Sequence, residues 1–129
     1  MRLRRRGVRE FVEQLCEDFR VEECPRVEIV STADVIDECG WFSSGCYNYE
    51  KKAIFLDENM AFMDSELVLH EFCHYLQHLR MGTEEFVKVG ETEAEKEHCE
   101  RSLEAEAKGF AMAYHDFYKR KWERLAYRE

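Results

Sequence analysis

Residues 64–80 read DSELVLHEFCHYLQHLR, and the architecture is built outward from them. Asp64 or Ser65 offers the side-chain oxygen that starts a helix, and Gly82 supplies a stop signal just beyond Arg80. Between these ends, Leu67, Val68, Phe72, Leu76 and Leu79 wrap the predicted helix in apolar residues, so it belongs inside the molecule. Embedded in it is His70-Glu71-Phe72-Cys73-His74, an H-E-x-x-H sequence.

Upstream, Gly45-Cys46-Tyr47-Asn48-Tyr49, the turn-like Glu50-Lys51-Lys52 and Ala53-Ile54-Phe55-Leu56 predict a β-hairpin. Residues 26–31 alternate like a further strand after Pro25, and residues 32–43 read as a short helix and loop. Val8, Phe11, Val12, Leu15 and Phe19 recur at helical spacing, which predicts an N-terminal helix. Downstream, a long helix is expected from about residue 91 nearly to the end, with Leu103, Ala107, Phe110, Ala111, Tyr114, Phe117 and Tyr118 on its apolar face. The expected fold is therefore α+β. An N-terminal helix, a small three-stranded sheet, the motif helix and a long C-terminal helix make one domain over residues 1–129.

Composition narrows the function. The 129 residues are 45% hydrophobic with 13% aromatics, which excludes a disordered chain, while 36% are charged and the formal net charge is −9. No apolar run approaches the roughly 18 residues a membrane span needs. An acidic chain is a poor nucleic-acid binder, because phosphate neutralisation needs Lys and Arg on one surface. Arg2, Arg4, Arg5, Arg6 and Arg9 read as a solvated basic arm, and no export signal follows them, so a cytoplasmic location is expected. Cys16, Cys24, Cys39, Cys46, Cys73 and Cys99 read as buried free thiols. The scarcity of Asn and Gln, two of each, resembles heat-adapted proteins, whose intracellular members can hold disulfides.

The motif carries the chemistry. Residues four apart lie about 40° apart around a helix and about 6 Å along it, so His70 and His74 can converge on one metal ion. Glu71 falls between them and can reach a water beside the metal without being a ligand. His78 continues the series but has rotated about 80° from His70 and is not counted as a ligand. A catalytic zinc site needs a third protein ligand and an open position. Glu93 stands at a suitable spacing, but Lys96, Glu97 and Glu100 make its surroundings polar. Glu104 borders the apolar face of Leu103, Ala107 and Ala111 and is preferred, with Glu100 and Glu106 as alternatives. One Zn2+ per chain is expected. An oxyanion donor is sought among Tyr114, His115 and His98, and an extended peptide substrate is expected to pair with Tyr47–Tyr49 or Ile54–Leu56.

The motif followed by Glu104-Ala105-Glu106-Ala107-Lys108-Gly109-Phe110-Ala111 resembles the gluzincin metallopeptidases. The second segment is similar to the E-x-E-A-N-x-F-A run of ImmA/IrrE-type peptidases and the E-x-x-A-D run of CAAX-type membrane peptidases. In size the chain is most similar to the minigluzincins, small soluble archaeal scaffolds of the same catalytic domain. The resemblance spans residues 44–111 and implies that His70, His74 and Glu104 hold zinc, with Glu71 as general base. Lys108 departs from the pattern, standing where the relatives carry Asp or Asn. A cation there cannot accept an N–H bond from a ligand histidine.

Two other functions compete. Glu71/His74 and Glu95/His98 form two E-x-x-H pairs, the signature of di-iron carboxylate bundles, although that fold wants four helices. A latent or non-catalytic zinc-binding module is the other. In that reading the tail carrying Tyr118, Trp122, Leu125 and Tyr127 either packs on the N-terminal helix or lies across the cleft as a plug.

Overall fold

The first helix, α1 (Arg5–Asp18), buries Val8, Phe11, Val12 and Leu15 on one stripe in a computed structural model that describes residues 3–41, 43–60, 63–94, 96 and 101–127. Of the expected basic arm, Arg4 stands at the N-cap of this helix, Arg5, Arg6 and Arg9 lie within it, and Arg2 lies outside the described residues. Arg5 donates to the Ile29 carbonyl at 3.1 Å and to Glu58 at 2.9 Å, while Arg9 donates to the Val27 carbonyl. The arginines of its exposed face thus fasten α1 to β1 (Arg26–Val30).

Next comes α2 (Thr32–Cys39), started by the Ser31 hydroxyl accepting from the Asp34 N–H and ended by Gly40 at φ 81°, a conformation that favours glycine. The predicted hairpin is present as β2 (Gly45–Asn48) and β3 (Ala53–Asp57). β3 also pairs in parallel with β1, giving the order β1-β3-β2. All five residues of β3 are buried, so it reads as a continuous apolar run, as central strands do. This closes Ile54–Leu56 to a peptide: both of its edges are taken. Among the described residues, β2 presents its outer edge on the cleft side.

Asp64 caps α3 (Ser65–Met81), its carboxylate accepting from the Glu66 N–H at 2.9 Å, and Gly82 ends it at φ 82°. The long helix expected from residue 91 is divided. Helix α4 (Thr83–Glu93) follows Gly82 directly, and α5 (Ser102–Ala126) starts later. Glu93 makes the restart possible, its carboxylate accepting from both the N–H and the hydroxyl of Ser102. Among the described residues the molecule is α+β, with five helices and a three-stranded mixed sheet, not a four-helix di-iron bundle. Glu95 and His98 lie outside the described residues.

The core joins Phe11 and Leu15 of α1, Ile54 and Leu56 of β3, Val68, Leu69 and Phe72 of α3 and Trp122 of α5. The tail of α5 belongs to that core and is not a plug. Phe11 meets Tyr118 and Trp122 edge-on at 5.7 and 5.0 Å, and Trp122 Nε1–H donates to the Met63 carbonyl at 2.7 Å. Tyr127 closes the same corner by accepting from the Met63 N–H at 2.6 Å. Four cysteines depart from the free-thiol expectation: Cys16–Cys24 and Cys39–Cys46 are disulfides. Each pair is brought to a bridging Cα separation, 5.9 and 5.8 Å, by the short excursion of chain between its members. Cys73 keeps a buried free thiol, pushed up to about 12 by burial, and Cys99 lies outside the described residues.

Candidate metal centre

Ten of the seventeen residues of helix α3 are buried, and His70, His74 and Gln77 face the start of α5. There His70 Nε2 lies 2.9 Å from Glu104 Oε2, and His74 Nε2 lies 3.0 Å from Glu104 Oε1. Their potential ligand atoms all fall within 4.8 Å of one another. The preferred third residue, Glu104, is therefore the carboxylate that joins the two histidines.

The alternatives go elsewhere. Glu93 caps α5, and the Ser102 hydroxyl beside it holds its carboxyl below the usual range. Glu106 accepts from Arg80 at 3.0 Å and from Gln77 at 2.8 Å. Glu100 and His98 lie outside the described residues. Tyr114 is in an aromatic group with Phe19 and Phe110, and His115 Nδ1 lies 3.1 Å from the Ser65 hydroxyl. Neither lines the cleft around His70 and His74. His115 belongs to a second His/carboxylate group with Asp64 and Glu66 at the start of α3, where Asp64 already serves as the helix cap.

A residue not anticipated from the sequence is Gln77. Its amide N–H groups donate to the Leu103 carbonyl at 2.9 Å and to Glu106 at 2.8 Å. With both directions fixed, its oxygen must face His74 Nδ1, 2.7 Å away, as an acceptor. Nδ1 therefore carries hydrogen, and Nε2 is the atom turned to Glu104. The acceptor missing at Lys108, which is exposed, is thus supplied from one turn along α3. The signal was a lone glutamine three residues after the second histidine on a helix otherwise wrapped in apolar residues.

This tautomer tests the site for a cation. A neutral His74 would aim the Nε2 lone pair at a carboxylate oxygen, an arrangement that requires a proton or a metal between the two atoms. Without metal, the proton solution prevails. Burial alone would lower the His74 pKa, but its hydrogen bond to Glu104 and the charges of Glu71 and Glu104 raise it. Burial pushes the Glu104 carboxyl up, but bonds to both histidines more than offset this and hold it well below its ordinary value. Two imidazole nitrogens and one carboxylate also form a donor set that suits zinc with a position left open.

Glu71 is kept out of that trio. It is 7% exposed, and its Oε1 accepts from the Tyr47 backbone N–H of β2 at 3.1 Å. Burial pushes its carboxyl up to about 7, against the lowering effect of His74 and His70. Tyr47 is itself anchored: its hydroxyl lies 2.6 Å from His78 Nδ1, and His78 Nε2 lies 2.7 Å from the Thr83 hydroxyl of α4. Phe86 stacks on the His78 ring at 5.2 Å. His78 is thus a strut between α3, β2 and α4, consistent with its exclusion as a ligand.

A cleft of ≈ 960 Å³ opens over His70, Glu71, His74 and Glu104. The β2 edge, α4 and the start of α5 form its walls. No helix is long and apolar enough to cross a membrane among the described residues. Comparison of the chain with protein-family models, curated proteins and solved structures gave no match.

Proposed function

We propose that this chain is a zinc-dependent metallopeptidase. One observation carries the reading: His70, His74 and Glu104 converge within 4.8 Å, while the neighbouring buried Glu71 is held apart from them. The motif resemblance to gluzincins points the same way. His70, His74 and Glu104 would hold the ion, with Gln77 fixing the His74 ring. A bound Zn2+ would supply Lewis acidity, making a water more acidic and polarising the scissile carbonyl.

Glu71 provides the proton transfers. The Tyr47 N–H occupies Oε1 and fixes the carboxylate plane, leaving Oε2 to take the proton of the attacking water. The same oxygen then delivers that proton to the departing amine. Burial suits Glu71 to both steps, because a carboxyl raised toward neutrality can accept and release a proton with little bias. An extended peptide would lie along the β2 edge around Tyr47–Tyr49.

The test is hydrolysis of a peptide library by the zinc-loaded chain, beside metal analysis. Glu71→Ala should lower kcat/KM by about 10²- to 10⁴-fold while keeping about one zinc per chain. Equal hydrolysis by variant and parent would remove Glu71 from the mechanism. Stoichiometric zinc without hydrolysis by the parent would favour the non-catalytic binding module.

A further inference from the structure

We infer that the cleft selects peptides carrying lysine or arginine near the bond to be cut, an inference that rests on the peptidase reading. Asp37, Glu50, Glu66 and Glu91 line the cleft, and no hydrogen bond or ion pair engages their carboxylates among the described residues. They come from α2, the β2–β3 turn, the first turn of α3 and α4, so the negative field spans several walls of the cleft. Positive charge does not balance it. Arg101 is the one lysine or arginine on the lining among the described residues, and its guanidinium donates to the carbonyls of Ala94 and Lys96. Lys51 lies nearby, but it is paired with Glu38.

The same walls carry aromatic surface. Trp41, 60% exposed, and Tyr49 line the cleft with Asp37 and Glu50. An aromatic face beside unpaired carboxylates suits a guanidinium or ammonium group on an apolar stem, by stacking and cation–π attraction. A peptide with Glu or Asp at the same positions would instead meet like charge in a partly enclosed space. Clefts lined by one sign of charge concentrate oppositely charged ligands by about 10-fold or more.

The experiment measures binding separately from turnover. Two labelled peptides identical except for Lys/Arg or Glu at three positions are titrated by fluorescence anisotropy into zinc-loaded Glu71→Gln full-length chain. The basic peptide should bind at least about tenfold tighter, and the difference should shrink between about 0.05 and about 0.5 M salt. Neutralising the four carboxylates together (Asp37→Asn, Glu50→Gln, Glu66→Gln, Glu91→Gln) should abolish the difference, with circular dichroism confirming the fold. Equal affinities, tighter binding of the acidic peptide, no binding of either, or a preference that survives neutralisation would overturn the inference. Cleavage of both peptides by the parent chain is scored independently. If the parent cleaves neither while the binding preference holds, the peptidase reading fails and the charge selectivity of the cleft stands.

Discussion

Gln77 has two obligations that a hydrocarbon of similar size cannot meet: it accepts from His74 Nδ1, and it joins α3 to Leu103 and Glu106 at the start of α5. Gln77→Leu should therefore weaken zinc binding by about 10- to 100-fold, as loss of an outer partner of a metal-ligating histidine does. Competition with a chromogenic zinc chelator measures this, and unchanged affinity would assign Gln77 to helix packing alone. The contrast between Gln77 and Glu104 marks where sequence reading stops at this scale. His70, Glu71 and His74 are placed by helix geometry alone, and Glu104 is preferred because a ligand carboxylate must sit on a buried face, which leaves Glu100 and Glu106 as alternatives. The partner of an imidazole depends on rotamers contributed by two helices, and no spacing encodes that. Glu93 is ambiguous in the sequence for a related reason, since its duty is set by the break between α4 and α5.

At the scale of elements, α1 and α5 cross so closely that a Cβ built on Gly7 would lie 1.6 Å from the Leu125 carbonyl oxygen. Gly7→Ala must push the helices apart, along with the Phe11–Trp122 contact and the Arg4 N–H bond to the Ala126 carbonyl. The expected loss is about 3 kcal/mol by urea unfolding. Gly109, on the exposed side of α5, is the internal control, because a Cβ there meets nothing within 4 Å. Gly109→Ala should gain about 0.5–1 kcal/mol from helix propensity. Equal effects at the two sites would mean that the crossing has room for a methyl group at Gly7. The same packing explains which elements were legible. Helix α1 declares itself by a periodic buried stripe, and the hairpin by a turn-like segment before the continuous apolar run of β3. Helix α4 buries no residue fully, so its sequence carries no stripe to read, and its acidic residues merged with the apparent start of α5. The parallel pairing of β1 with β3 is a long-range choice that neither strand announces.

At the scale of the whole molecule, the proposed metal site predicts that stability depends on pH in opposite senses with and without zinc. Glu71 titrates near 7 in the metal-free fold against an ordinary value of 4.5. The native state thus binds more protons between those values, and the associated stability, present at low pH, is lost as pH rises through 7. That contribution is on the order of 3 kcal/mol. His74, raised from 6.5, acts in the same direction: its contribution is present below 6.5 and lost as pH rises through its folded value. Glu104, depressed, contributes stability above 4.5 that is lost only under stronger acid. The metal-free chain should therefore melt at a lower temperature at pH 8 than at pH 5. Zinc held as proposed should reverse the balance, because its ligands must be unprotonated, so the gain it provides should grow with pH. At free zinc about 100-fold above its Kd, the gain is about 2.7 kcal/mol. Thermal unfolding with zinc or with chelator at both pH values tests the scheme, and Glu71→Gln should flatten the chelated series while keeping the zinc increment. An equal zinc increment at pH 5 and pH 8 would mean that the ion does not compete with protons for His70 and His74. The convergence of those rings on Glu104 would then belong to a proton-held ion pair, and the peptidase reading would lose its metal.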